Sequence, residues 1–438
     1  MGRFAYFETA PVPERAFLVG VDMRTSTWPV DRSLDELERL AASAGAEVVG
    51  RLTQRLEKPV PRTFIGSGKV EELCGMVRRL DVDVVIFDDD LSPSQQSNLE
   101  RAVGEPVKII DRTALILDIF GLRARTSEGR LQVQLAQLQY LLPRLRGMWS
   151  HLAKEQARGG IGSRFGQGES QLEIDRRLIR DRISSLRNQL KEVELRRDVQ
   201  SKDRLSSPAY RVALAGYTNA GKSSLLNRLT DSDVYEQDQL FATLDPTTRS
   251  HRLPAGRIVT ITDTVGFIQK LPHGLVEAFK STLSEVRSAD LVLKVVDASD
   301  EDRELHIKAV DAVLDEIGAG ERPAVTVYNK VDMLDAEDRA FFLAAHPDAV
   351  LISARSGLGI DALEDRIAQE ASHADRLMTA LVPFSQGALA AQVRNQAEVL
   401  SESYEPEGYL ITAKVPVRLA GKVAPYAIED PPDEPSID

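Results

Sequence analysis

Eight residues, Gly216–Ser223 (GYTNAGKS), constrain this chain of 438 residues more than any other stretch. They follow a short apolar run, Arg211–Ala215, and open a run with helical spacing, Lys222–Leu229. The pattern G-x4-G-K-[ST] between a strand and a helix is that of a phosphate-cradling loop in an open α/β sheet. Gly216 and Gly221 let the backbone curl, so that N–H groups along Tyr217, Thr218, Asn219 and Ala220 can point inward at phosphate oxygens. Lys222 can bring a cation to the β and γ phosphates, and Ser223 a hydroxyl to Mg²⁺. A glycine turn before a helix is the competing reading of the loop taken alone.

Three further motifs follow in order. The strand-like Arg257–Thr262 ends in DTVG (Asp263, Thr264, Val265, Gly266). A carboxylate at such a strand end can hold Mg²⁺ through water, and the Gly266 N–H can reach the γ-phosphate. The strand-like Ala324–Tyr328 ends in NKVD (Asn329, Lys330, Val331, Asp332). Asp332 can accept from guanine N1–H and the 2-amino group. Adenine offers neither donor, so an unmatched carboxylate would reject it. Asn329 suits the guanine O6/N7 edge and a tie back to the phosphate loop, and Lys330 can lay its stem over the base. Last, Val350–Ile352 ends in Ser353, Ala354 and Arg355, whose backbone can meet guanine O6. All four motifs sit at carboxyl ends of strands, where open α/β sheets bind ligands.

The rest of the chain falls into segments. Residues 1–122 alternate strand-like and helix-like stretches, the rhythm of a small parallel-sheet domain. In that stretch Ser33 and Glu36 read as a capping box for a helix over Ser33–Ala44, and Ser92 with Pro93 starts another. Residues 123–205 lack strand signals. Leu131, Leu135, Leu138, Leu142 and Leu145, then Ile179, Ile183, Leu186, Leu190 and Val193, keep 4-3 spacing, the seam of an antiparallel coiled-coil hairpin. Pro143 should kink the first helix. Between them GGIGSRFGQGES (Gly159–Ser170) reads as a glycine-rich tip, far longer than the about 2–5 residues a helical hairpin needs. The net charge is −12, yet residues 121–200 hold 16 Arg or Lys against 9 Asp or Glu. That local excess of +7 leaves −19 on the other 358 residues. A basic segment in an acidic chain can be a footprint for RNA, and a solvated helical face is the competing reading. Residues 206–375 carry the four motifs, and residues 376–438 form a C-terminal segment whose acidic, proline-rich end, Glu429–Asp438, reads as disordered. One cysteine, Cys74, excludes an internal disulfide and points to a reducing compartment.

The stretches FATLDPTTR (Phe241–Arg249) and DTVGFIQKLPHGLVEAFKSTLSEVRSADLVL (Asp263–Leu293), the hairpin with GGIGSRFGQGE, and PRTFIGSGKVEEL (Pro61–Leu73) resemble the HflX family of ribosome-associated GTPases. The resemblance spans about residues 15–375. It implies an α/β fold: a P-loop GTPase domain with a parallel-type sheet, preceded by the small α/β domain and the hairpin; position alone adds a short C-terminal domain after it. It implies GTP and GDP as ligands, Mg²⁺ as cofactor, GTP hydrolysis, and association with the large ribosomal subunit and its RNA in splitting stalled or idle ribosomes, with the hairpin tip near the peptidyl-transferase region. The FATLD pattern places Phe241, Ala242, Thr243, Leu244 and Asp245 at the nucleotide, with Thr243 as the second Mg²⁺-ligating hydroxyl beside Ser223 and a member of the catalytic set with Lys222 and Gly266. Thr247 and Thr248 are the less favoured candidates. An asparagine at the place of Asn219 ligates K⁺ in several related GTPases; a plain turn cap is the other reading. A cytoplasmic monomer without a membrane span is expected. The alternative is a non-ribosomal GTP-dependent regulator that uses the hairpin as a protein-interaction arm.

Phe267 follows DTVG where many GTPases place a water-orienting glutamine, so intrinsic hydrolysis should be slow and depend on a partner. Other features carry less. GSGK at Gly66–Lys69 reads as a helix start, Asp88–Asp90 as a solvated loop, and Cys74 as a buried thiol. His151, His273 and His306 stand alone in sequence.

Overall fold

The computed structural model describes residues 13–145, 167–205, 210–230, 240–241, 244–270 and 283–429, apart from residues 25, 255 and 374. The chain forms two compact units. The first takes in residues 1–191 together with 238–244 and 269–279, and the second takes in the remainder.

In the first unit, β1 (Arg15–Met23), β2 (Glu47–Leu56), β3 (Val84–Phe87) and β4 (Lys108–Asp111) make a parallel sheet in the order β2-β1-β3-β4. β1 and β3 are runs of buried apolar residues, as central parallel strands require. Phe17, Val19, Ile65, Leu73, Phe87 and Leu99 lie in the core between sheet and helices. The helix Pro93–Val103 starts as the sequence indicates, with Ser92 and Gln95 capping each other and proline in the first turn. Gly66 precedes the helix Ser67–Leu80, which fits the reading of GSGK as a helix start. Cys74, taken as a buried thiol, is half-buried, and burial pushes its pKa up.

The readings around Arg112 need correction. The helix expected to begin at Ser33 runs Val30–Ser43, with Pro29 at its N-cap, so Ser33 and Glu36 cap nothing. Both are buried and face Arg112, which is 1% exposed. Its guanidinium donates to Glu36 Oε1 at 2.7 Å, to the Ser33 carbonyl at 3.0 Å, and to Asp88 Oδ1. Asp88 is therefore not a solvated loop start. It is buried, and its other oxygen accepts from Ser33 Oγ at 2.7 Å and from Lys270 Nζ at 2.6 Å. Burial disfavours its charge, but Arg112 and Lys270 outweigh that and hold the carboxyl below its usual range. Lys270 also donates to Asp89 at 2.6 Å.

The helices Ser127–Leu141 and Gln167–Leu205 share the expected seam: Leu135, Ile183 and Leu186 are buried, with Leu131, Leu138, Leu142, Ile179 and Leu190 packed against them. The first helix ends at Leu141, two residues before Pro143, rather than kinking through it. Its base is pinned where Tyr140 Oη donates to Asp111 at 2.8 Å and Arg144 donates to Asp111 at 3.1 Å and the Leu91 carbonyl at 2.7 Å. Of the expected tip, residues 159–166 lie outside the described residues, and Gln167–Ser170 already belong to the second helix.

The second unit holds β5 (Tyr210–Gly216), β6 (Thr247–Arg252), β7 (Ile258–Asp263), β8 (Leu291–Asp297), β9 (Ala324–Asn329) and β10 (Val350–Leu351). Their order is β10-β9-β8-β5-β7-β6, and β6 alone is antiparallel, against β7. β5 and β8 are almost wholly buried, with Val212, Leu214, Leu291, Leu293 and Val295 in the core. Beyond them β11 (Asp375–Pro383), β12 (Glu398–Glu405), β13 (Gly408–Pro416) and β14 (Ala427–Glu429) form an antiparallel sheet, β12-β13-β11-β14, with its own core around Val382, Val393, Ile411 and Val415. The acidic end expected to be disordered, residues 430–438, lies outside the described residues.

Arg112→Ala should destabilise the protein by about 3–5 kcal/mol, because it leaves the Asp88 and Glu36 carboxylates buried without their cation. Arg51→Ala removes an exposed pair of ion pairs to Asp35 and Glu38 and should cost less than about 1 kcal/mol. Urea unfolding of both variants checks the contrast.

Candidate functional site

The loop Gly216–Ser223 leaves β5 at its carboxyl end and feeds the helix Lys222–Thr230. It is pinned to the segment after DTVG. The Thr218 N–H donates to the Phe267 carbonyl at 2.8 Å, and the Phe267 N–H donates to the Gly216 carbonyl at 3.1 Å. Phe267 is 1% exposed, so its ring is part of the core and offers nothing that could orient water. Gly221 has φ +88°, and a Cβ there would sit 2.2 Å from Asn329 Nδ2. A Cβ on Gly266 would meet Thr218 Cγ2 at 2.8 Å and Lys222 Nζ at 3.1 Å, so the backbone passes bare over the loop's cation.

Lys222 is buried, and its ammonium donates to the carbonyls of Gly216 at 3.1 Å and Tyr217 at 2.8 Å. Burial lowers its pKa to about 8, with the Asp263 carboxylate pulling the other way. Ser223 Oγ donates to Asp263 Oδ2 at 2.6 Å, and Asp263 is fully buried. A hydroxyl beside a carboxylate at the mouth of the loop is an all-oxygen donor set, which fits a hard cation such as Mg²⁺. Among the described residues no group of three His, Cys, Asp or Glu offers another metal site. Thr264 Oγ1 donates to the Leu214 carbonyl at 2.7 Å and Val265 is buried, so both act by holding the end of β7 in place. Asn219 is exposed in the left-handed region, φ 61°.

At the end of β9, Asn329 works in two directions. Its Nδ2 donates to the Ala220 carbonyl at 2.9 Å, and its Oδ1 accepts from the Ala354 N–H at 3.0 Å. The expected tie to the phosphate loop is present, and both ends of this amide are engaged by protein. Lys330 adopts φ 64°, and its ammonium meets Asp297 at 2.7 Å. The Val331 N–H donates to the Ile352 carbonyl at 3.2 Å, which leaves Asp332 exposed on a short turn. Ser353 is buried and its Oγ accepts from the Ser356 N–H at 3.1 Å.

The residues of the FATLD pattern divide. Ala242 and Thr243 lie outside the described residues. Phe241 is buried edge-on against Phe120, ring centroids 4.6 Å apart, Leu244 is buried, and Asp245 is half-buried. Thr247 and Thr248 belong to β6, where Thr248 Oγ1 pairs with Thr262 Oγ1 at 2.9 Å, so neither is a loose loop hydroxyl. Two residues that sequence reasoning passed over join the site's surroundings. His306 is not alone: it stacks on Tyr217 at 3.8 Å, with Nδ1 3.6 Å from Asp300. Arg228, at the far end of the loop's helix, reaches the Ala354 carbonyl at 2.8 Å. No spacing signal marks either one. His273 and His151 lie outside the described residues.

A diphosphate beside Lys222 should raise its pKa again, because anions favour the ammonium. GDP binding near pH 9 should then take up close to one proton, and near pH 6.5, where Lys222 is already charged, none from this group. Calorimetry in buffers of different ionisation enthalpy measures the uptake, and Lys222→Met should abolish it.

Three family profiles cover most of the chain in order. One described as "GTP-binding GTPase N-terminal" matches residues 31–121, "GTP-binding GTPase Middle Region" matches 123–204, and "50S ribosome-binding GTPase" matches 211–330. The chain is 44% identical over 421 residues to the GTPase HflX of Caldanaerobacter subterraneus, covering 96% of this chain and 95% of that one. It is 45% identical over 377 residues to the GTPase HflX of Escherichia coli, covering 86% and 87%. The match runs through the α/β unit, the helical segment and the nucleotide sheet together: the chain belongs to the HflX family and is a GTPase, binding GTP and GDP and hydrolysing the former.

Proposed function

We propose that this GTPase acts on the large ribosomal subunit, binding it through the helical hairpin and splitting or rescuing ribosomes under control of the nucleotide. The hairpin carries the reading. Its apolar seam is buried, while Arg177, Arg180, Arg182 and Arg187 on the second helix are exposed. These cations lie in the one segment with a positive excess in an acidic chain, as phosphate binding requires. The relatives' profile over residues 211–330 is described as ribosome-binding, which agrees.

In this reading Gly216, Tyr217, Thr218, Asn219, Ala220 and Gly221 wrap the phosphates and Lys222 neutralises them. Ser223 and Thr243 would hold Mg²⁺, with Asp263 acting through water, and the ion would add charge neutralisation at the phosphates; K⁺ at Asn219 would add to it. Gly266 presents its N–H to the γ-phosphate. Asn329, Lys330 and Asp332 with Ser353, Ala354 and Arg355 enclose guanine, and Val331 anchors the turn that carries Asp332. Phe241, Leu244 and Asp245 flank Thr243 in sequence, and Thr264 and Val265 hold the end of β7. Since Phe267 cannot order the attacking water, docking on the ribosome completes the site, and hydrolysis then releases the protein. The protein works in the cytoplasm as a monomer.

Sedimentation with purified large subunits tests this. Binding should weaken steeply with salt, and Arg177→Gln, Arg180→Gln and Arg187→Gln together should lower the log–log slope by about one for each RNA phosphate that is no longer neutralised. Subunit-stimulated hydrolysis should fall while GDP affinity of the free protein holds. An unchanged slope with full stimulation would favour the hairpin as a protein-interaction arm.

A further inference from the structure

Base choice in this site depends on backbone N–H groups of the loop after β10, and most of those groups are already committed. The Ser353 N–H donates to the Leu358 carbonyl at 2.9 Å, and the Gly357 N–H to the Ser353 carbonyl at 2.8 Å. The Ala354 N–H donates to Asn329 Oδ1, and the Ser356 N–H to Ser353 Oγ. Among the described residues, the Arg355 N–H is the donor of this turn that no protein acceptor takes.

What fixes the direction of that N–H is the peptide plane it shares with the Ala354 carbonyl. The bond is trans, so the two groups point to opposite sides of one rigid plane. Arg228 holds the carbonyl side. Its Nε donates to the Ala354 carbonyl at 2.8 Å and its Nη2 to the Arg355 carbonyl at 2.5 Å. A planar fork that bridges two successive carbonyls holds both peptide planes at once, which a single-nitrogen cation does less well. Arg228 stands on the helix that opens with Lys222, so the group that binds phosphate and the fork that sets the base loop ride on one rigid element.

We propose that Arg228 is a positioning residue for base selection: by clasping the Ala354 and Arg355 carbonyls it aims the Arg355 N–H at guanine O6. Adenine presents an amino donor at that position, so an aimed N–H both attracts guanine and repels adenine. The inference rests on the reading of Ser353–Arg355 and Asp332 as the base pocket.

The test compares GDP with ADP binding, by calorimetry on the full chain, in Arg228→Met and Arg228→Lys. Met keeps the packing stem and removes the donors; Lys keeps a cation. We expect the GDP-over-ADP ratio to fall about tenfold in Arg228→Met and about threefold in Arg228→Lys. KM for GTP should rise in both while kcat moves less than twofold. A general loosening of the fold would weaken both nucleotides equally and leave the ratio unmoved. A ratio within 1.5-fold of the wild-type value in either folded variant overturns the proposal, and if Arg228→Met does not fold, Arg228→Lys decides alone. Asp332→Asn, measured with xanthosine diphosphate, separates the two levels. If it gains that ligand while the Arg228 variants keep their ratio, the pocket is right and Arg228 is not its positioner; if it gains nothing, the base-pocket reading itself fails.

Discussion

One side-chain amide holds the nucleotide site together. Asn329, at the end of β9, donates to Ala220 in the phosphate loop and accepts from Ala354 in the loop after β10. Three segments far apart in sequence meet on a single planar group, and Gly221 leaves it room. The tie is buried, where each hydrogen bond is stronger and an unmet partner more costly than in water. The phosphate loop and the loop after β10 are thus held in one arrangement. Lys222 gains from the same enclosure. Its ammonium is dry and its charge is held at a cost, which an incoming phosphate relieves.

The first unit has a comparable centre in Arg112. Its guanidinium joins the helix Val30–Ser43 to the ends of β3 and β4, and Asp88 shares its carboxylate between Arg112 and Lys270. Lys270 and Phe241 belong to this unit although their sequence neighbours, Ile268 and Asp245, belong to the other.

Much of this was legible in the sequence, for a physical reason. The GYTNAGKS, DTVG and NKVD motifs are each local, and each sits at a strand end whose apolar run is unmistakable. The leucine seam of the hairpin was legible because periodicity needs no partner to be read. The misread residues all have distant partners. Ser33 and Glu36 fit the capping pattern, yet Glu36 answers an arginine 76 positions away. Asp88 and Asp89 resemble a wet loop until Lys270, 182 and 181 positions on, is brought against them. Arg228 looks like any helix-end arginine, and its acceptors are carbonyls 126 and 127 positions on, which carry no sequence signature at all. Thr247 and Thr248 were ambiguous because a Thr-Thr pair suits a switch loop and an edge strand alike; pairing of β6 with β7 places them in the strand.

The most direct measurement is GDP affinity, by calorimetry, in Gly221→Ala, with circular dichroism to confirm the fold. The new Cβ would press on Asn329 Nδ2 from 2.2 Å and would force a side chain into φ +88°. Left-handed strain of about 1–2 kcal/mol and a broken buried hydrogen bond of about 1 kcal/mol add up to about a hundredfold weaker binding in a folded protein. Affinity within threefold of the unsubstituted protein would contradict the claim that phosphate loop and base loop are held by this one amide.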